Sequence, residues 1–307
     1  MDNSLKVSLS KSIGANMKRS YKVVDVFTLR PLLGNPVAVV LDAEGLTTEA
    51  MQAIAGWTNL SETTFILPPT TVEADYRLRI FTPRSELPFA GHPTLGSAHA
   101  LLEAGRVMPS RSGRLIQECS IGLVELTVEE RGGARQLTFG LPPAKLESLR
   151  AEDIAELELI LKCKVDIKSA PAIVNVGAIW VVAQMNDATS VLDLKPDFAK
   201  LVEFERRLGV TGLTVFGNHA YGDAAIEVRT FAPSCGVEED PVCGSGNGSV
   251  AAFRWDRGLL SASGTDYVAT QGRCVGRDGR IQVSVDTNGK VFIGGSCVTC
   301  VEGSLTL

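Results

Sequence analysis

The stretch Arg79-Ile80-Phe81-Thr82-Pro83, followed by Ala90-Gly91-His92-Pro93-Thr94, decides the fold because a second version of it stands later in the chain. The second version reads Arg229-Thr230-Phe231-Ala232-Pro233 and then Cys243-Gly244-Ser245-Gly246-Asn247. In both places an alternating strand is followed by a short acidic loop, a glycine turn and an alanine-rich helix. This shared order predicts an internal duplication, with two halves of similar build.

The two glycine turns are the strongest candidates for a binding site. A helix N-terminus carries unpaired N–H groups and a partial positive charge, and glycine lets a ligand approach the backbone closely. Together these properties favour a small anion such as a carboxylate. Each turn alone is better explained as an ordinary helix cap. The matched pair, at Gly91 and at Gly244, favours a binding function.

The composition of the 307 residues excludes several classes of function. The formal net charge of −5 at pH 7 and the 6% aromatic content argue against a nucleic-acid binder, which needs a basic surface or stacking rings. No apolar run is long enough to predict a membrane span. Residues 1–20 form a polar extension unlike a signal peptide, and the 7 cysteines are an odd number. These features predict a cytoplasmic protein with free thiols.

Hydrophobic periodicity predicts the elements on either side of these turns. Strands are expected first at 21–27 and 37–41. Helices are expected at Thr48–Thr58, about Thr94–Glu103, Asp197–Leu208 and about Asn247–Arg257.

Glu62 is a candidate acid/base residue because it stands where a helix gives way to an apolar strand, in Asn59-Leu60-Ser61-Glu62-Thr63. Burial beside such a strand would raise the pKa of its carboxyl into a useful range. Read alone, an exposed loop glutamate is the simpler interpretation. His92 in the first turn and Asp240 just before the second would lie near the expected anion sites, where a histidine can tune a neighbouring carboxylate. An aspartate before Pro241 is also typical of a plain turn.

Cys243 is a second candidate acid/base group, since it occupies the second glycine turn. A helix N-terminus lowers the pKa of a thiol, so we expect a lowered pKa here. The matching residue of the first turn is Ala90, and a symmetric two-thiol racemase is therefore not expected.

Metal and nucleotide sites are disfavoured. His92 and His99 are too far apart on one helix to share an ion, and Cys297-x-x-Cys300 is a lone pair that we interpret as core thiols. Gly246-x-Gly248-x-x-Ala251 fits a loose dinucleotide pattern. A long loop precedes it where that pattern needs a strand.

At these residues the sequence resembles the PhzF (phenazine biosynthesis-like) family, within the diaminopimelate-epimerase-like fold. The resemblance runs from Tyr21 to the C-terminus and its pieces occur in family order. They are Asp25-Val26-Phe27-Thr28, Gly34-Asn35-Pro36-Val37-Ala38-Val39, Asn59-Leu60-Ser61-Glu62-Thr63, Phe81-Thr82-Pro83, Glu86-Leu87-Pro88-Phe89-Ala90-Gly91-His92-Pro93-Thr94, Glu239-Asp240-Pro241 and Gly244-Ser245.

The resemblance implies an α+β protein with two pseudo-symmetric domains, each a curled β-sheet or barrel around a central helix. The expected domains are 21–140 and 141–299, with the last strand, about 300–307, returning to the first. The resemblance also implies an active site in the cleft between them, a homodimer and no cofactor. Glu62 matches the family's proton-shuttling residue. His92, Asp240 and Ser245 are expected to line the site, and the amides of Gly91 and Gly244 to hold a carboxylate. Ser61 and Cys243 complete the expected binding residues.

The expected function is therefore a cofactor-independent isomerase that moves a proton on a small cyclic or unsaturated carboxylate. In the best-known member of the family the substrate is a dihydro-hydroxyanthranilate. An epimerase or racemase using Glu62 and Cys243 is one alternative, and a non-catalytic binding or scaffold protein is another. A nucleotide-binding dehydrogenase is a remote third alternative.

Overall fold

The computed structural model describes residues 17–261 and 265–307, which fall into two compact units. The first unit contains the described residues up to Phe139 together with Ser296–Leu307, and the second contains Gly140–Gly295. Residues 1–16 of the predicted polar extension, 1–20, lie outside the described residues. Its last residues, from Lys18 to Ser20, belong instead to the first strand.

The elements alternate along the chain. The strands are β1 (Lys18–Val26), β2 (Asn35–Val40), β3 (Glu62–Leu67), β4 (Tyr76–Phe81), β5 (Glu86–Leu87), β6 (Arg114–Cys119), β7 (Gly122–Arg131), β8 (Ala134–Gly140), β9 (Lys145–Ser148), β10 (Ala172–Asn175), β11 (Ile179–Gln184), β12 (Gly212–Asn218), β13 (Ile226–Ala232), β14 (Val237–Asp240), β15 (Thr265–Gln271), β16 (Gly279–Val285), β17 (Val291–Gly295) and β18 (Cys297–Thr306). The α-helices are α1 (Thr48–Thr58), α2 (Gly91–Glu103), α3 (Ala151–Leu161), α4 (Ala188–Leu192), α5 (Phe198–Leu208) and α6 (Gly244–Asp256).

The first unit is a curled sheet around one helix. Its strands neighbour one another in the order β18-β1-β2-β3-β4-β6-β7-β8, and β5 also pairs with β4. The pairs β2–β3 and β4–β6 are parallel and the others are antiparallel. Helix α2 contacts β1, β2, β3, β4 and β18, and nearly all of its residues are buried.

The second unit repeats this topology. Its order is β9-β10-β11-β12-β13-β15-β16-β17, with β14 on β13, and the parallel pairs β11–β12 and β13–β15 stand at the same two places. Its central helix is α6, and most of the residues of this helix are buried. The predicted duplication and the α+β class, with a sheet curled around a central helix, are therefore confirmed.

The two central helices begin earlier than predicted, at Gly91 and Gly244, so the glycine turns are themselves the first helical turns. Pro93 does not prevent this, because a proline is tolerated in the first turn, where its missing N–H would have no helical partner. Helix α1 has the predicted bounds, and Asp197 caps α5, which begins at Phe198. Helices α3 and α4 were not predicted.

Several glycines serve packing rather than ligand approach. A Cβ at Gly96 would lie 2.4 Å from Cγ1 of Val37, and one at Gly248 would lie 2.1 Å from Cδ1 of Leu141. A Cβ at Gly246 would meet Oγ1 of Thr230 at 2.7 Å. The central helices therefore lie so close to their sheets that no side chain fits at these positions.

Across residues 17–261 and 265–307, no helix is long and apolar enough to cross a membrane. Within the same ranges, no group of three His, Cys, Asp or Glu side chains could hold a metal ion.

Candidate functional site

The position of Glu62 follows from the way α1 ends. Asn59 closes the helix in the left-handed conformation, with φ of 54°, and its N–H reaches the carbonyl of Ala55. Asparagine tolerates this conformation, so the chain can reverse within a few residues and enter β3. Glu62 is the first residue of β3 and lies opposite Val37 of the parallel strand β2. A carboxylate is thus held at the end of a buried strand.

Glu62 and His92 form a close pair. Nε2 of the histidine lies 3.2 Å from Oε2 of the glutamate, and the two side chains are only 9% and 15% exposed. Burial raises the pKa of Glu62 to about 7, and the neighbouring Ser61 hydroxyl opposes this shift more weakly. The raised pKa that the sequence predicted for this carboxyl is confirmed. A carboxyl with such a pKa is available in both protonation states near neutral pH.

His92 reaches this position because α2 begins one residue before it. The N-cap residue, Ala90, makes no side-chain hydrogen bond to the helix. A Cβ at Gly91 would lie 2.9 Å from Cζ of Phe139, whose ring meets that of Phe89 edge-on at 5.6 Å between centroids. Glycine is therefore required where the helix start passes the aromatic ring, and the two rings give this turn an apolar wall.

Buried hydrogen bonds fix the first turns of α2 against the sheet. Tyr76 donates its hydroxyl to Oε1 of Gln117 at 3.1 Å, and Nε2 of Gln117 donates to Oγ1 of Thr94 at 3.1 Å. Ser97 donates to Oγ1 of Thr64 at 2.8 Å. Sequence reasoning missed these residues. Their only signal is a polar side chain within an apolar strand or helix, which does not reveal its partner.

In the second unit, Cys243 is the N-cap of α6. Its Sγ accepts a hydrogen bond from the N–H of Gly246 at 3.3 Å and lies 3.6 Å from Oγ of Ser245. Burial, reinforced by the charge of Asp240, raises the pKa of the Cys243 thiol well above its ordinary value. The predicted lowering was wrong, because desolvation of a buried thiolate outweighs the helix N-terminus. Oγ of Ser245 also accepts from Nε1 of Trp180 at 3.2 Å.

A second hydrogen-bond network holds the turn from Asp240 to Gly244. Oε1 of Gln271 accepts from the N–H of Cys243 at 3.2 Å and from Nδ2 of Asn247 at 2.8 Å, while its Nε2 donates to the carbonyl of Asp240 at 2.9 Å. The Asp240 carboxylate accepts the N–H of Val242 at 3.0 Å. Asn247 and Gln271 were not predicted, because their contact joins residues far apart in sequence.

The predicted site residues thus form two groups, each within its own unit. The first unit brings together Glu62, His92, Ser61 and Gly91. The second brings together Asp240, Cys243, Gly244 and Ser245.

Comparison with known proteins identifies the family to which the chain belongs. A family model described as phenazine biosynthesis-like protein matches residues 24–303. The trans-2,3-dihydro-3-hydroxyanthranilate isomerase of Pseudomonas aeruginosa is 33% identical over 293 residues, covering 92% of this chain and 98% of that protein. The Schizosaccharomyces pombe protein named antisense-enhancing sequence 1 is 42% identical over 294 residues, covering 93% and 98% respectively.

Structural similarity supports the same grouping at the level of the fold. The crystal structure of a PhzF-family phenazine biosynthesis protein from Bacillus anthracis matches with a TM-score of 0.85 and 24% identity, covering 95% of this chain and 100% of that one. The family resemblance predicted from the motifs and the isomerase class that it implied are therefore confirmed. The chain belongs to the phenazine biosynthesis-like (PhzF) family of isomerases.

Proposed function

We propose that this protein is a cofactor-independent isomerase in which Glu62 takes a proton from one carbon of a small unsaturated carboxylate and returns it to another. The observation that carries the proposal is the buried Glu62 carboxyl, with a pKa of about 7, lying 3.2 Å from His92. General acid/base catalysis is most effective when the pKa of the group lies near the working pH. Glu62 meets that condition.

The reaction balances on the substrate and Glu62 alone. The carboxylate takes the proton of a C–H bond beside an unsaturated system, and the electron pair of that bond enters the system. The resulting carboxylic acid then protonates a second carbon, where the new C–H bond uses an electron pair of the shifted double bond. Glu62 ends as a carboxylate. Since substrate and product are isomers, the reaction consumes no oxidant or reductant.

His92 has an orienting role in this proposal. Its Nε2 lies 3.2 Å from one Glu62 oxygen, Oε2, which is an ion-pair contact when the ring is protonated, so it can hold the carboxyl in place and leave the other oxygen for the carbon acid. Ser61, whose hydroxyl favours the charged form of Glu62, adds a second polar neighbour.

The substrate class follows from the turns and the relatives. We assign anion binding to the helix-start amides, at Gly91 in the first unit and at Gly244 in the second, because helix N-termini favour anions, and we assign Ser245 and Asp240 to contacts with other polar groups of the substrate. The Pseudomonas aeruginosa relative is named for trans-2,3-dihydro-3-hydroxyanthranilate, which makes that cyclic amino acid the first compound to test. A homodimer remains a prediction, which sedimentation can check.

One observation favours an epimerase as a second candidate. Cys243 is a buried thiol whose raised pKa keeps it protonated at neutral pH, so it could donate a proton after Glu62 has removed one. The two candidates differ in their product. An epimerase inverts a stereocentre, whereas the isomerase moves a double bond.

Proton NMR in heavy water tests the proposal. Wild-type protein is incubated with trans-2,3-dihydro-3-hydroxyanthranilate and with a panel of cyclic and unsaturated carboxylates. The isomerase predicts a shifted double bond in at least one compound, with deuterium at the newly protonated carbon whenever Glu62 exchanges with solvent before it returns the proton. Inversion without a double-bond shift would favour the epimerase.

A further inference from the structure

The same side-chain arrangement precedes the central helix of each unit. In the first unit, Arg79 on β4 makes two hydrogen bonds to Glu86 on β5, from Nε to Oε1 and from Nη2 to Oε2, each at 2.7 Å. In the second unit, Arg229 on β13 bonds Glu239 on β14 in the same way, at 3.0 and 2.8 Å. Gly244 follows Glu239 at the same spacing at which Gly91 follows Glu86.

The segments between each glutamate and its helix are also alike. Glu86-Leu87-Pro88-Phe89-Ala90-Gly91 corresponds to Glu239-Asp240-Pro241-Val242-Cys243-Gly244, with a proline at the same position in both. The strand register agrees as well, since Ile80 pairs with Leu87 and Thr230 pairs with Asp240. A proline fixes φ, so the orientation of the glutamate is carried into the turn that starts the helix.

Each guanidinium is itself anchored in its sheet. Arg79 lies over the ring of Phe81 at 5.1 Å, and Arg229 lies over the ring of Phe231 at 4.9 Å. Both rings are fully buried. The arginine therefore ties the short strand to the core of its own unit, which matters most for β5, a strand of only two residues.

A third contact differs between the units but joins the corresponding element. Arg79 donates from Nη2 to Oγ1 of Thr48, at the start of α1. Arg229 donates from Nη1 to the carbonyls of Val191 and Leu194, around the end of α4, at 3.1 and 2.8 Å. In each unit the arginine therefore also holds the next helix along the chain, which is α1 after β2 and α4 after β11.

The Arg229–Glu239 pair differs from ordinary surface ion pairs, which contribute little because they are mobile and solvated, since its side chains are only 7% and 8% exposed. Arg79 and Glu86 are more exposed, at 22% and 32%. Both pairs use the planar two-bond geometry that fixes direction as well as distance. The pair Arg114–Glu125 on β6 and β7 is an ordinary surface case, with both side chains more than half exposed.

We propose that Arg79 and Arg229 are positioning residues, whose two-pronged bonds to Glu86 and Glu239 set the two glycine turns and, through the first turn, hold His92 against Glu62. The proposal deepens the proposed function and rests on it for the meaning of the site. Its test needs no substrate.

The first test measures the Glu62 carboxyl by carbon-13 NMR, with its signal assigned by its loss in Glu62→Gln. Arg79→Lys keeps the charge but cannot make both bonds. We expect the pKa of Glu62 to fall by about one unit, as water enters beside a loosened turn. Glu86→Gln should cause the same shift, and the reversed pair Arg79→Glu with Glu86→Arg should recover part of it. Arg114→Lys is the matched control.

The outcome that overturns the proposal is a Glu62 pKa that is the same in Arg79→Lys, Glu86→Gln and Arg114→Lys. A pKa shift in Arg79→Lys alone, without one in folded Glu86→Gln, would also overturn it, because the pair and not the arginine is the claim. Circular dichroism establishes which variants are folded. Should the variants of the first unit fail to fold, the second unit supplies an independent test.

That second test uses the Cys243 thiol in Arg229→Lys. Mass spectrometry follows iodoacetamide labelling of Cys243 and of Cys297, which is a buried thiol in the first unit. We expect labelling of Cys243 to rise by about tenfold as its turn loosens, with Cys297 unchanged. An unchanged rate at Cys243, or an equal rise at both thiols, would contradict the proposal.

The two proposals can fail separately. If Glu62→Gln keeps full activity while Arg79→Lys still lowers the pKa of Glu62, the proposed function is wrong and the positioning role stands. If Glu62→Gln is inactive while Arg79→Lys leaves that pKa unchanged, the positioning role is wrong and the proposed function stands.

Discussion

Nε2 of His92 lies 3.2 Å from Oε2 of Glu62, and the two side chains are only 9% and 15% exposed. The histidine comes from the first turn of the central helix and the glutamate from the first residue of a parallel strand. The pair therefore depends on where two elements begin, and a change at either start should alter the pKa and orientation of the Glu62 carboxyl.

Replacing His92 should impair turnover more than binding. His92→Asn keeps a polar group but cannot reach Oε2 of Glu62 in the same way, so the carboxyl loses its orientation. We expect kcat to fall by about 10²-fold with a smaller change in KM. Steady-state kinetics on the substrate found by NMR measures this. His99→Asn, a change further along the same helix, is the control and should stay close to wild type.

The pKa of Glu62 makes activity depend on pH in a defined direction. The carboxylate must be deprotonated to remove a proton, and its pKa is about 7. We expect kcat/KM to rise with pH through about 7 and to level off above it. A profile that is flat between about pH 5 and 9 would contradict Glu62 as the base, since its carboxyl should titrate within this range.

Stability should change with pH in the opposite direction. The folded state raises the pKa of Glu62 from 4.5 to about 7, so between these values it binds more protons than the unfolded state. The contribution of Glu62 to the free energy of unfolding therefore falls as pH rises through this window, by at most about 3 kcal/mol. Glu62→Gln should remove this fall. Urea unfolding at pH 5 and pH 8 checks it, with the exposed Glu73→Gln as the control.

Gly91 should not accept a side chain. A Cβ there would lie 2.9 Å from Cζ of Phe139, so Gly91→Ala forces the helix start or the ring to move. We expect a loss of about 1–3 kcal/mol in the free energy of unfolding, together with reduced activity. Gly56→Ala is the matched control, because Gly56 lies in α1 with its nearest neighbour at an ordinary 3.5 Å. That variant should be neutral or slightly stabilised, since alanine favours helix.

Cys243 separates the two candidate functions. Cys243→Ser keeps an N-cap acceptor for the N–H of Gly246, and serine is a favoured cap. The isomerase therefore predicts a folded variant with activity close to wild type. An epimerase that uses the thiol as its acid would lose its activity. The raised pKa also predicts slow alkylation of Cys243 compared with the exposed Cys235.

Much of the fold could be predicted because the duplication repeats the same local sequence patterns in both halves. Arg79 and Arg229, each followed by a phenylalanine and a proline, marked equivalent strands, and the glycine turns marked the helices behind them. Helix α3 carried a signal as well, since Leu157, Ile160 and Leu161 lie on one face and acidic residues fill its first turn.

The sequence could not predict which polar side chains form hydrogen bonds with each other, or which individual side chains are buried. Gln271 meets Asn247 only after the second unit has folded, and neither residue type indicates the other. The pKa of Cys243 was predicted in the wrong direction, because a helix start is visible in a sequence whereas burial of one thiol is not. The repeated Glu-x-Pro-x-x-Gly pattern at Glu86 and Glu239 could have been found, and it leads directly to the arginine pairs.

The central claim is that Glu62 moves the proton, and proton NMR in heavy water tests it most directly. Wild type, Glu62→Gln and Glu73→Gln are compared on the compound that the wild type converts, with folding checked by circular dichroism. Our account predicts that Glu62→Gln is folded but slower by about 10²- to 10⁴-fold in conversion, while Glu73→Gln matches wild type. Wild-type conversion by folded Glu62→Gln would contradict it.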